Sequence, residues 1–486
     1  MTKTSSLQSV SEKWDIVIGL EVHAQLKTRT KIFCSCKTDY GSEPNSNICP
    51  ICLGHPGVLP VLNENVVRMA VMAGLALHCS IEKRCVFSRK QYFYPDLPKG
   101  YQISQFDLPI CSDGLLEISL DEESRKIPIA RAHLEEDAGK NIHDDFRGVS
   151  QVDFNRTGIP LLEIVSGPDL TSPEEAMEYL KELRNTLRYI GVCDGNLEEG
   201  SFRCDANISL KPKGAEELGT RVEIKNLNSF RNVGRALTYE IRRQARVLEQ
   251  GGSVSMHTAL FDADQGTTSP MRSKEDSSDY RYFPDPDLLP VVLEESYIDD
   301  LRQALPETPE IVRARFANEY GLRPYDVGVL TDDRELALFY ESAVKKGADP
   351  TITSNWIQSE LLGRLSNDKL EISKSPVSAE SLAKLVKHLH SGKISGKMAK
   401  EIFANMWNSG VDPDQEVERM GGVVDDDDEI RALCQLVIER HPDEANQFRD
   451  GKVKVLGFLM GKVMQESRGK ANPKKASALL REELSR

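Results

Sequence analysis

Apolar and polar residues alternate strictly from Ile16 to Leu26, which predicts a β-strand near the start of the chain. The apolar set, which would face a core, consists of Ile16, Ile18, Leu20, Val22, Ala24 and Leu26. The opposite face carries Glu21 and His23, which point the same way because they are two residues apart, about 6–7 Å along the strand. They form a candidate metal-ligand pair. The alternative is a half-exposed edge strand on which the two side chains form a salt bridge.

Two later strand patterns carry carboxylates among apolar residues. In Ile127–Asp137, Glu136 ends a small, apolar face, while Glu135 lies on the opposite face. In Gly158–Val165, Glu163 interrupts a run that is apolar on both faces, which indicates a central strand. Burying a carboxylate without a partner is costly, so Glu136 requires a cation, and Glu163 requires a metal, a basic group or a raised pKa. Pairing of Glu163 with an arginine is the alternative to a metal site.

Strand patterns dominate the chain up to about Glu294, and only helix patterns follow. Within the strand-rich part, helices are predicted at 63–77, 172–191 and 232–249. A chain of 486 residues exceeds what one core usually organises. We therefore predict an α+β fold with domains over 1–294, 295–408 and 409–486. A loop over 410–428, with a solvated acidic run at 425–428, would separate the last helical unit.

Four of the ten cysteines lie between positions 34 and 52, in the pattern C-x-C-x12-C-x2-C. Two close thiolate pairs joined by a loop rich in Gly, Pro, Asn and Ser suit a closed, tetrahedral Zn²⁺ site, which is structural. The first pair departs from the usual C-x2-C spacing, and a set of buried free thiols is the alternative. The predicted ligands of this zinc knuckle, 34–52, are Cys34, Cys36, Cys49 and Cys52.

Composition and motifs exclude several classes of protein. No apolar run reaches the 18 residues needed to span a bilayer, and the N-terminal segment lacks the features of a signal or transit peptide, so we expect a cytoplasmic protein. The formal net charge of −14 argues against nucleic acid only if the charge is spread evenly. No P-loop, Rossmann fingerprint, nucleophile elbow or H-E-x-x-H motif occurs, so any ATP would be held by a non-P-loop fold.

Two segments carry cations that could meet an anion. Phe87–Phe106 is dense in aromatic residues and proline, which predicts either a rigid loop facing an anionic ligand or a packed Ω-loop. The segment 452–481 is locally basic, which predicts either an RNA phosphate contact or a solvated helical face. The candidate RNA-binding residues of this basic end are Lys462, Arg468, Lys470, Lys474 and Lys475.

Long motifs in a fixed order resemble the GatB-type B subunits of tRNA-dependent amidotransferases over nearly the whole chain. They are IGLEVHAQL at 18–26, EPNSN at 43–47, PGVLPVLN at 56–63, RKQYFYPDLPKGYQISQFD at 89–107, HLEEDAGK at 133–140, PLLEIVSGPD at 160–169, EEGSFRCDANISL at 198–210, EIKNLNSF at 223–230 and DYRYFPDPDL at 279–288. The resemblance implies an antiparallel-sheet cradle domain like that of glutamine synthetase and guanido kinases, then an all-α helical domain and an all-α YqeY-like tail.

The resemblance also implies an activity. Proteins of this type are ATP-dependent carbon–nitrogen ligases that phosphorylate the side-chain carboxylate of Glu-tRNA(Gln) or Asp-tRNA(Asn) and then amidate it. The ammonia comes from glutamine through an amidase-type A subunit, and a small C subunit completes a heterotrimer that binds the misacylated tRNA.

Site residues follow from the same resemblance. The Mg²⁺ and catalytic residues would be His23, Glu136 and Glu163, with Glu21 and Glu135 nearby, although a histidine ligand by itself favours Mn²⁺. Candidates for contacts to ATP or for the ammonia path are Lys90, Tyr92, Asn207 and Lys225. Because the four cysteines are not found throughout this family, zinc would be a property of this branch.

Two other functions compete with this one. A noncatalytic, zinc-containing tRNA-binding scaffold would use the knuckle and the basic end, but it would not need Glu136 and Glu163 within apolar strands. A stand-alone metal hydrolase would not need the helical tail.

Overall fold

The computed structural model describes residues 7–120, 123–144, 148–271, 280–421, 426–467 and 470–485. The chain divides into two compact units, Met1–Thr308 and Pro309–Arg486. The first combines a large sheet with helices and the described part of the second is helical, which confirms the predicted α+β class. The division between the two units falls between Thr308 and Pro309. The predicted domain boundaries after residues 294 and 408 stay predictions.

The first unit is built on a twelve-stranded sheet. The described strands are β1 (Trp14–Gln25), β2 (Ser80–Ile81), β3 (Arg84–Cys85), β4 (Phe87–Gln91), β5 (Tyr101–Gln105), β6 (Cys111–Leu120), β7 (Glu123–Glu136), β8 (Lys140–Asp144), β9 (Val149–Asp153), β10 (Pro160–Ser166), β11 (Phe202–Pro212), β12 (Val222–Lys225), β13 (His257–Asp262), β14 (Thr267–Pro270), β15 (Phe283–Pro284) and β16 (Val291–Val292). The main order is β14-β13-β12-β11-β1-β10-β7-β5-β4-β15, with β2 and β6 off this path.

The sheet is mixed and not purely antiparallel, which corrects the expectation at one pair of strands. β12 and β13 run parallel, whereas the other paired strands are antiparallel. β12 and β13 can run parallel because the chain between them forms a helix, residues 230–249, that crosses over the sheet. Parallel neighbours require such a crossover.

Helices cover the apolar face of this sheet. The described helices of the first unit are α1 (Leu7–Ser11), α2 (Glu64–Ala76), α3 (Pro173–Tyr189), α4 (Phe230–Glu249) and α5 (Glu295–Ala304). Ser172 and Ser229 cap α3 and α4 by accepting hydrogen bonds from backbone N–H groups. The even-numbered residues of β1 are buried in the core with both helices, which leaves its odd-numbered residues on the open face.

The aromatic segment Phe87–Phe106 is a β-hairpin and not a single loop, which corrects both interpretations of its sequence. β4 and β5 pair antiparallel, and only the residues between them form a connection. Both prolines of the segment, Pro95 and Pro98, lie in that connection, where their missing N–H groups interrupt no ladder.

The described part of the second unit is helical, and it includes a short 3₁₀ helix at Ile372–Lys374. Its described α-helices are α6 (Pro309–Asn318), α7 (Pro324–Leu330), α8 (Arg334–Lys345), α9 (Pro350–Trp356), α10 (Leu362–Asp368), α11 (Ala379–His390), α12 (Gly396–Ser409), α13 (Pro413–Met420), α14 (Asp427–Arg440), α15 (Pro442–Arg449), α16 (Val455–Glu466) and α17 (Pro473–Ser485). A π-helical turn, Ile357–Leu361, joins α9 to α10. None of the described helices is long and apolar enough to span a membrane.

The predicted loop over 410–428 contains the helix α13, so this expectation was wrong. The described part of the acidic run begins a helix: Asp426 accepts hydrogen bonds from the backbone N–H groups of Asp428 and Glu429 at the start of α14. Carboxylates are favoured there because they meet unpaired N–H groups and the positive end of the helix dipole. Asp425 lies outside the described residues.

Candidate functional site

Three side chains form a row across the centre of the sheet. The antiparallel register places His23 of β1 opposite Glu163 of β10, and Glu163 opposite His133 of β7. Directly opposed residues share a face, so all three project onto the open side of the sheet. Glu135, two residues beyond His133, projects to the same side. The β10–β7 register shifts only beyond this row, between Val165 and Ser166.

The ligand atoms of His23, Glu135 and Glu163 converge on one point. They lie within 4.8 Å of one another, and His23 Nε2 is 3.2 Å from Glu163 Oε2 and 3.6 Å from Glu135 Oε1. His133 Nε2 approaches the same Glu163 oxygen, at 3.5 Å. Two carboxylate oxygens and an imidazole nitrogen at this spacing can bind a single divalent cation, and this donor set suits Mn²⁺ or Mg²⁺.

Electrostatics within this metal cluster, His23, Glu135 and Glu163, favour an added positive charge. Burial and the neighbouring Glu163 raise the pKa of Glu135 to about 7. The pKa of Glu163 is lowered. Burial by itself would raise this pKa, but the hydrogen bond with His23 and the positive charge of His133 outweigh burial. The pKa of His23 is raised. Burial by itself would lower this pKa, but the carboxylates of Glu163 and Glu135 outweigh burial. The imidazole therefore supplies charge that a bound cation can supply instead.

Glu136 is placed elsewhere, which corrects the prediction that it shares one ion with His23 and Glu163. Its carboxylate pairs with Lys99 and accepts the backbone N–H of Ile103 at 2.8 Å. The reason is the strand pleat, because neighbouring residues of β7 project to opposite faces of the sheet. The structure therefore brings Glu135, and not Glu136, to His23 and Glu163.

The four cysteines of the knuckle also converge. Their sulfur atoms lie within 4.8 Å of one another, so they form a site that can hold a metal such as zinc. A hydrogen bond with Cys34 lowers the pKa of Cys52 to about 5, and the backbone N–H of Cys49 and the charge of Lys31 act in the same direction. A thiolate is the form that binds metal, so this donor set fits zinc.

A buried lysine adjoins the knuckle. Lys31 is 0% exposed, and its ammonium lies 3.7 Å from the sulfur of Cys52 and 3.3 Å from the carbonyl oxygen of Phe154. Among the described residues no carboxylate forms an ion pair with Lys31. A buried ammonium requires an anionic partner, so the thiolate is the counter-charge that this position supplies.

Replacing Lys31 with methionine is expected to speed zinc release from the full chain about tenfold, because the residue keeps its bulk and loses the charge next to the thiolates. Zinc transfer to a chromogenic chelator measures the rate. Lys27→Met, at an exposed position nearby, is the control and should release zinc at the wild-type rate. Equal rates in wild type and Lys31→Met would contradict this assignment.

Comparison with known proteins adds to this geometry. The family model described as the GatB/GatE catalytic domain matches residues 16–299, and the one described as the GatB domain matches 338–484. A protein of Alkalilimnicola ehrlichii is 54% identical over 97% of this chain and 99% of its own length. One from Nitrosococcus oceani is 53% identical over 97% of the chain and 100% of its own length. Both are named as the B subunit of an aspartyl/glutamyl-tRNA(Asn/Gln) amidotransferase.

The chain belongs to the GatB/GatE family. The resemblance seen in the sequence motifs is thereby confirmed. The GatB/GatE catalytic-domain match includes every residue of the metal cluster and of the zinc knuckle. The GatB-domain match lies in the helical unit and includes the basic end.

Two of the candidates in this GatB/GatE chain flank the metal cluster. The pKa of Lys90 is raised. Burial by itself would lower this pKa, but the nearby negative charge of Glu135 outweighs burial. The Lys90 ammonium also lies 4.7 Å from the ring centroid of Tyr280. Burial, and after it the negative charge of Glu135, raise the pKa of Tyr92. The Tyr92 ring packs edge-on against the ring of Tyr280, with 6.0 Å between the two ring centroids. Both side chains thus border the carboxylates of the site.

Asn207 and Lys225 extend the polar face away from the cluster. Asn207 donates a hydrogen bond to Glu21 at 2.8 Å, and burial together with Glu163 raises the pKa of Glu21. Lys225 forms ion pairs of 2.8 Å with both Asp205 and Glu223, so its charge is compensated. Neither Asn207 nor Lys225 is part of the metal cluster.

The basic end of the GatB domain is partly neutralised. Lys475 lies 2.9 Å from Asp427, and the Lys462 ammonium is 5.5 Å from the ring centroid of Phe458. Lys470 precedes α17 and Lys474 lies in its first turn. Arg468 falls outside the described residues. The RNA contact stays a prediction.

Two residues of this region, His133 and Lys99, were not predicted from the sequence. His133 lies beside Glu163, and the signal for it was its position on the same strand face as Glu135. The Lys99 side chain, 8% exposed, pairs with the buried Glu136, and the requirement of that carboxylate for a cation was the signal that a partner existed. The local sequence around Glu136 could not show which lysine is its partner, because Lys99 lies 37 residues away along the chain.

Proposed function

We propose that this chain is the B subunit of a tRNA-dependent amidotransferase. It would use ATP to phosphorylate the side-chain carboxylate of Glu-tRNA(Gln), of Asp-tRNA(Asn) or of both, and would then form the amide with ammonia. The observation that carries the proposal is the convergence of His23, Glu135 and Glu163 on the open face of a catalytic-domain sheet. The names of relatives that match over their full length support the substrate class.

Within this function, His23, Glu135 and Glu163 would hold Mg²⁺ or Mn²⁺. When bound, the cation would neutralise phosphate charge during phosphoryl transfer to a carboxylate. His133 would hold the Glu163 carboxylate in place from the side opposite His23. Lys90 would attract the anionic reactants, since it is half-buried and the charge of Glu135 outweighs that burial and raises the pKa of its ammonium. Asn207 would orient Glu21 at the edge of the same face.

Partners and location follow from the same proposal. Ammonia would be released from glutamine by an amidase-type A subunit, with a small C subunit in the complex, so the enzyme would be a carbon–nitrogen ligase with glutamine as amide donor. The zinc would be structural, and the complex would work in the cytoplasm. A noncatalytic scaffold remains the alternative, but it gives no reason for a buried and a half-buried carboxylate to converge with a histidine.

The proposal is tested with the reconstituted complex and misacylated Glu-tRNA(Gln) and Asp-tRNA(Asn). We expect Gln-tRNA(Gln), Asn-tRNA(Asn) or both to form only when ATP and a divalent cation are present, with one ADP released per amide formed. Amide formation without ATP, or ADP release that does not depend on the aminoacyl group, would contradict it.

The basic end is expected to contribute tRNA affinity in this function. Replacing both Lys470 and Lys474 with glutamine should weaken tRNA binding about threefold to tenfold at moderate salt, and should reduce the salt dependence of binding by about two charges. Filter binding across a salt series measures both quantities. Lys181→Gln on α3, which removes an exposed ion pair with Glu178, is the control. Unchanged affinity and salt slope would show that the basic end does not contact RNA.

A further inference from the structure

A cavity of about 630 Å³ lies on the helix-covered side of the sheet, between α3, α4 and the turn that joins β13 to β14. Met177 of α3 lines it, together with Gln265 and Gly266 of that turn. β14 is the outermost strand of the main order, so the cavity lies at an edge of the sheet. None of the three metal-cluster residues lines this space.

Arginine dominates the wall that α4 gives to the cavity. The arginines at positions 231, 235, 242 and 246 are separated by four or seven residues, which places them on one stripe along the helix. From end to end the stripe is about 22 Å long at the rise of an α-helix. Glu174 is the one acidic side chain among the described residues that line the cavity. The lining arginines are Arg231, Arg235, Arg242, Arg243 and Arg246.

Arg243 differs from the other four because it has a counter-charge within the chain. It forms two hydrogen bonds, of 2.9 and 2.6 Å, with the carboxylate of Glu240, which is 0% exposed. Among the described residues no carboxylate pairs with the four arginines of the stripe. Arg235 meets only neutral groups, the side-chain oxygen of Asn232 at 3.2 Å and the ring of Phe261. Nε of Arg242 is buried without a hydrogen-bond partner.

The stripe weakens the helix that carries it. Arg231 and Arg235 are like charges four residues apart, as are Arg242 and Arg246, and such pairs destabilise a helix. Arg231 also lies in the first turn of α4, where no acidic residue offsets the positive end of the helix dipole. Cations that lower local stability and lack a counter-charge are typical of a surface that binds an external anion.

The other lining residues favour a phosphate backbone over an acidic protein segment. Thr238 and Gln265 supply neutral donors of the kinds that contact nucleic-acid backbones. Met177 and Tyr239 are half-buried, so neither large side chain is available as the fully exposed anchor on which a protein interface depends. Guanidinium groups bind phosphate oxygens in pairs, which suits a wall of arginine without lysine.

We propose that this arginine groove, defined by Arg231, Arg235, Arg242 and Arg246, binds the phosphodiester backbone of the tRNA away from its aminoacylated 3′ end. The inference rests on the proposed function, which supplies the RNA. The metal cluster lies on the open face and the groove on the covered side, so an RNA that reaches both passes the sheet edge at β14. Phosphate contacts carry no sequence information, so the groove would hold tRNA(Gln) and tRNA(Asn) alike.

Replacing Arg242 and Arg246 together with glutamine is the direct test. Filter binding of tRNA to the full complex across a salt series measures the effect. We expect the affinity at moderate salt to fall about fivefold to twentyfold, and the salt dependence to fall by about two charges. A tRNA that lacks its 3′-terminal adenosine should lose affinity by the same factor, because the groove does not contact that end. The thermal midpoint should equal or exceed that of the wild type, since a like-charge pair is removed.

A second variant and a control accompany this test. Arg231→Gln with Arg235→Gln removes the other half of the stripe, and it decides the question if the first variant fails to fold. The matched control replaces Arg84 and Lys126, exposed cations of β3 and β7, with glutamine. It removes the same charge from the chain, and it should keep the tRNA affinity within about twofold of wild type.

Three outcomes overturn the inference. Folded variants that keep the wild-type affinity and salt dependence would show that the groove does not contact RNA. An equal loss in the control would assign the effect to net charge. Loss of the A or C subunit from the variant complex on size-exclusion chromatography would assign the groove to an acidic protein segment. Failure of the proposed function is seen separately, as a wild-type complex that binds tRNA but forms no amide.

Discussion

Glu163→Gln is expected to reduce ATP-dependent amidation roughly thousandfold, as for loss of a principal charge-stabilising group. The amide keeps the size of the carboxylate but removes the negative charge that His23 and His133 both approach. Formation of Gln-tRNA in the reconstituted complex measures the effect, and glutamine hydrolysis by the A subunit should persist. Glu117→Gln, on the exposed edge of β6, serves as the control. Unchanged amidation in Glu163→Gln would exclude the site assignment.

Adjacent residues of β7 allow a sharper version of this experiment. Glu135→Gln should weaken Mn²⁺ binding, followed by electron paramagnetic resonance, because Glu135 contributes an oxygen to the cluster. Glu136→Gln should leave Mn²⁺ affinity within about twofold but lower stability, since it leaves the Lys99 side chain, which is only 8% exposed, without its carboxylate. Loss of Mn²⁺ affinity in Glu136→Gln alone would restore Glu136 as the ligand.

The second large effect is expected at the knuckle. Cys52→Ser should remove most of the bound zinc and lower the free energy of unfolding of the first unit by about 3 kcal/mol or more, because it eliminates a ligand and leaves the Lys31 ammonium buried without an anion. Elemental analysis and chemical denaturation measure the two quantities. Cys434→Ala, at a buried thiol of the second unit, should keep full zinc content. Equal zinc in wild type and Cys52→Ser would exclude the four-cysteine site.

Zinc loss is also expected to disturb the neighbourhood of Glu136. Gly54 follows the last cysteine of the knuckle with a φ of +66°, and a Cβ there would lie 2.3 Å from Cγ of Lys99. The backbone that directly follows the knuckle therefore packs against the lysine that pairs with Glu136. Chelation of zinc should consequently lower amidation even though no cysteine belongs to the metal cluster.

Local sequence patterns predicted the features that depend on local physics. The alternation from Ile16 to Leu26 corresponds to β1, and the helix signals near Asn63, Ser172 and Asn232 correspond to α2, α3 and α4. Pleating alone placed Glu21 and His23 on the open face. These predictions succeeded because strand and helix periodicities are properties of consecutive residues.

The errors concern pairings between distant segments. The resemblance gave Glu136 as a ligand and Glu135 as a neighbour, but which carboxylate meets His23 depends on the pairing of three strands. The hairpin of β4 and β5 was missed because aromatic residues and proline obscured its alternation. The helix α13 was hidden within acidic and glycine-rich sequence that is equally compatible with a loop.

The row formed by His23, Glu163 and His133 limits how such a chain can change in length during evolution. Deleting one residue within β10 ahead of Glu163 would turn this carboxylate toward the helix-covered side, away from His23 and His133. Insertions and deletions among related sequences should therefore collect in the turns that join these three strands, and the intervals inside the strands should stay constant in number even where the amino acids differ.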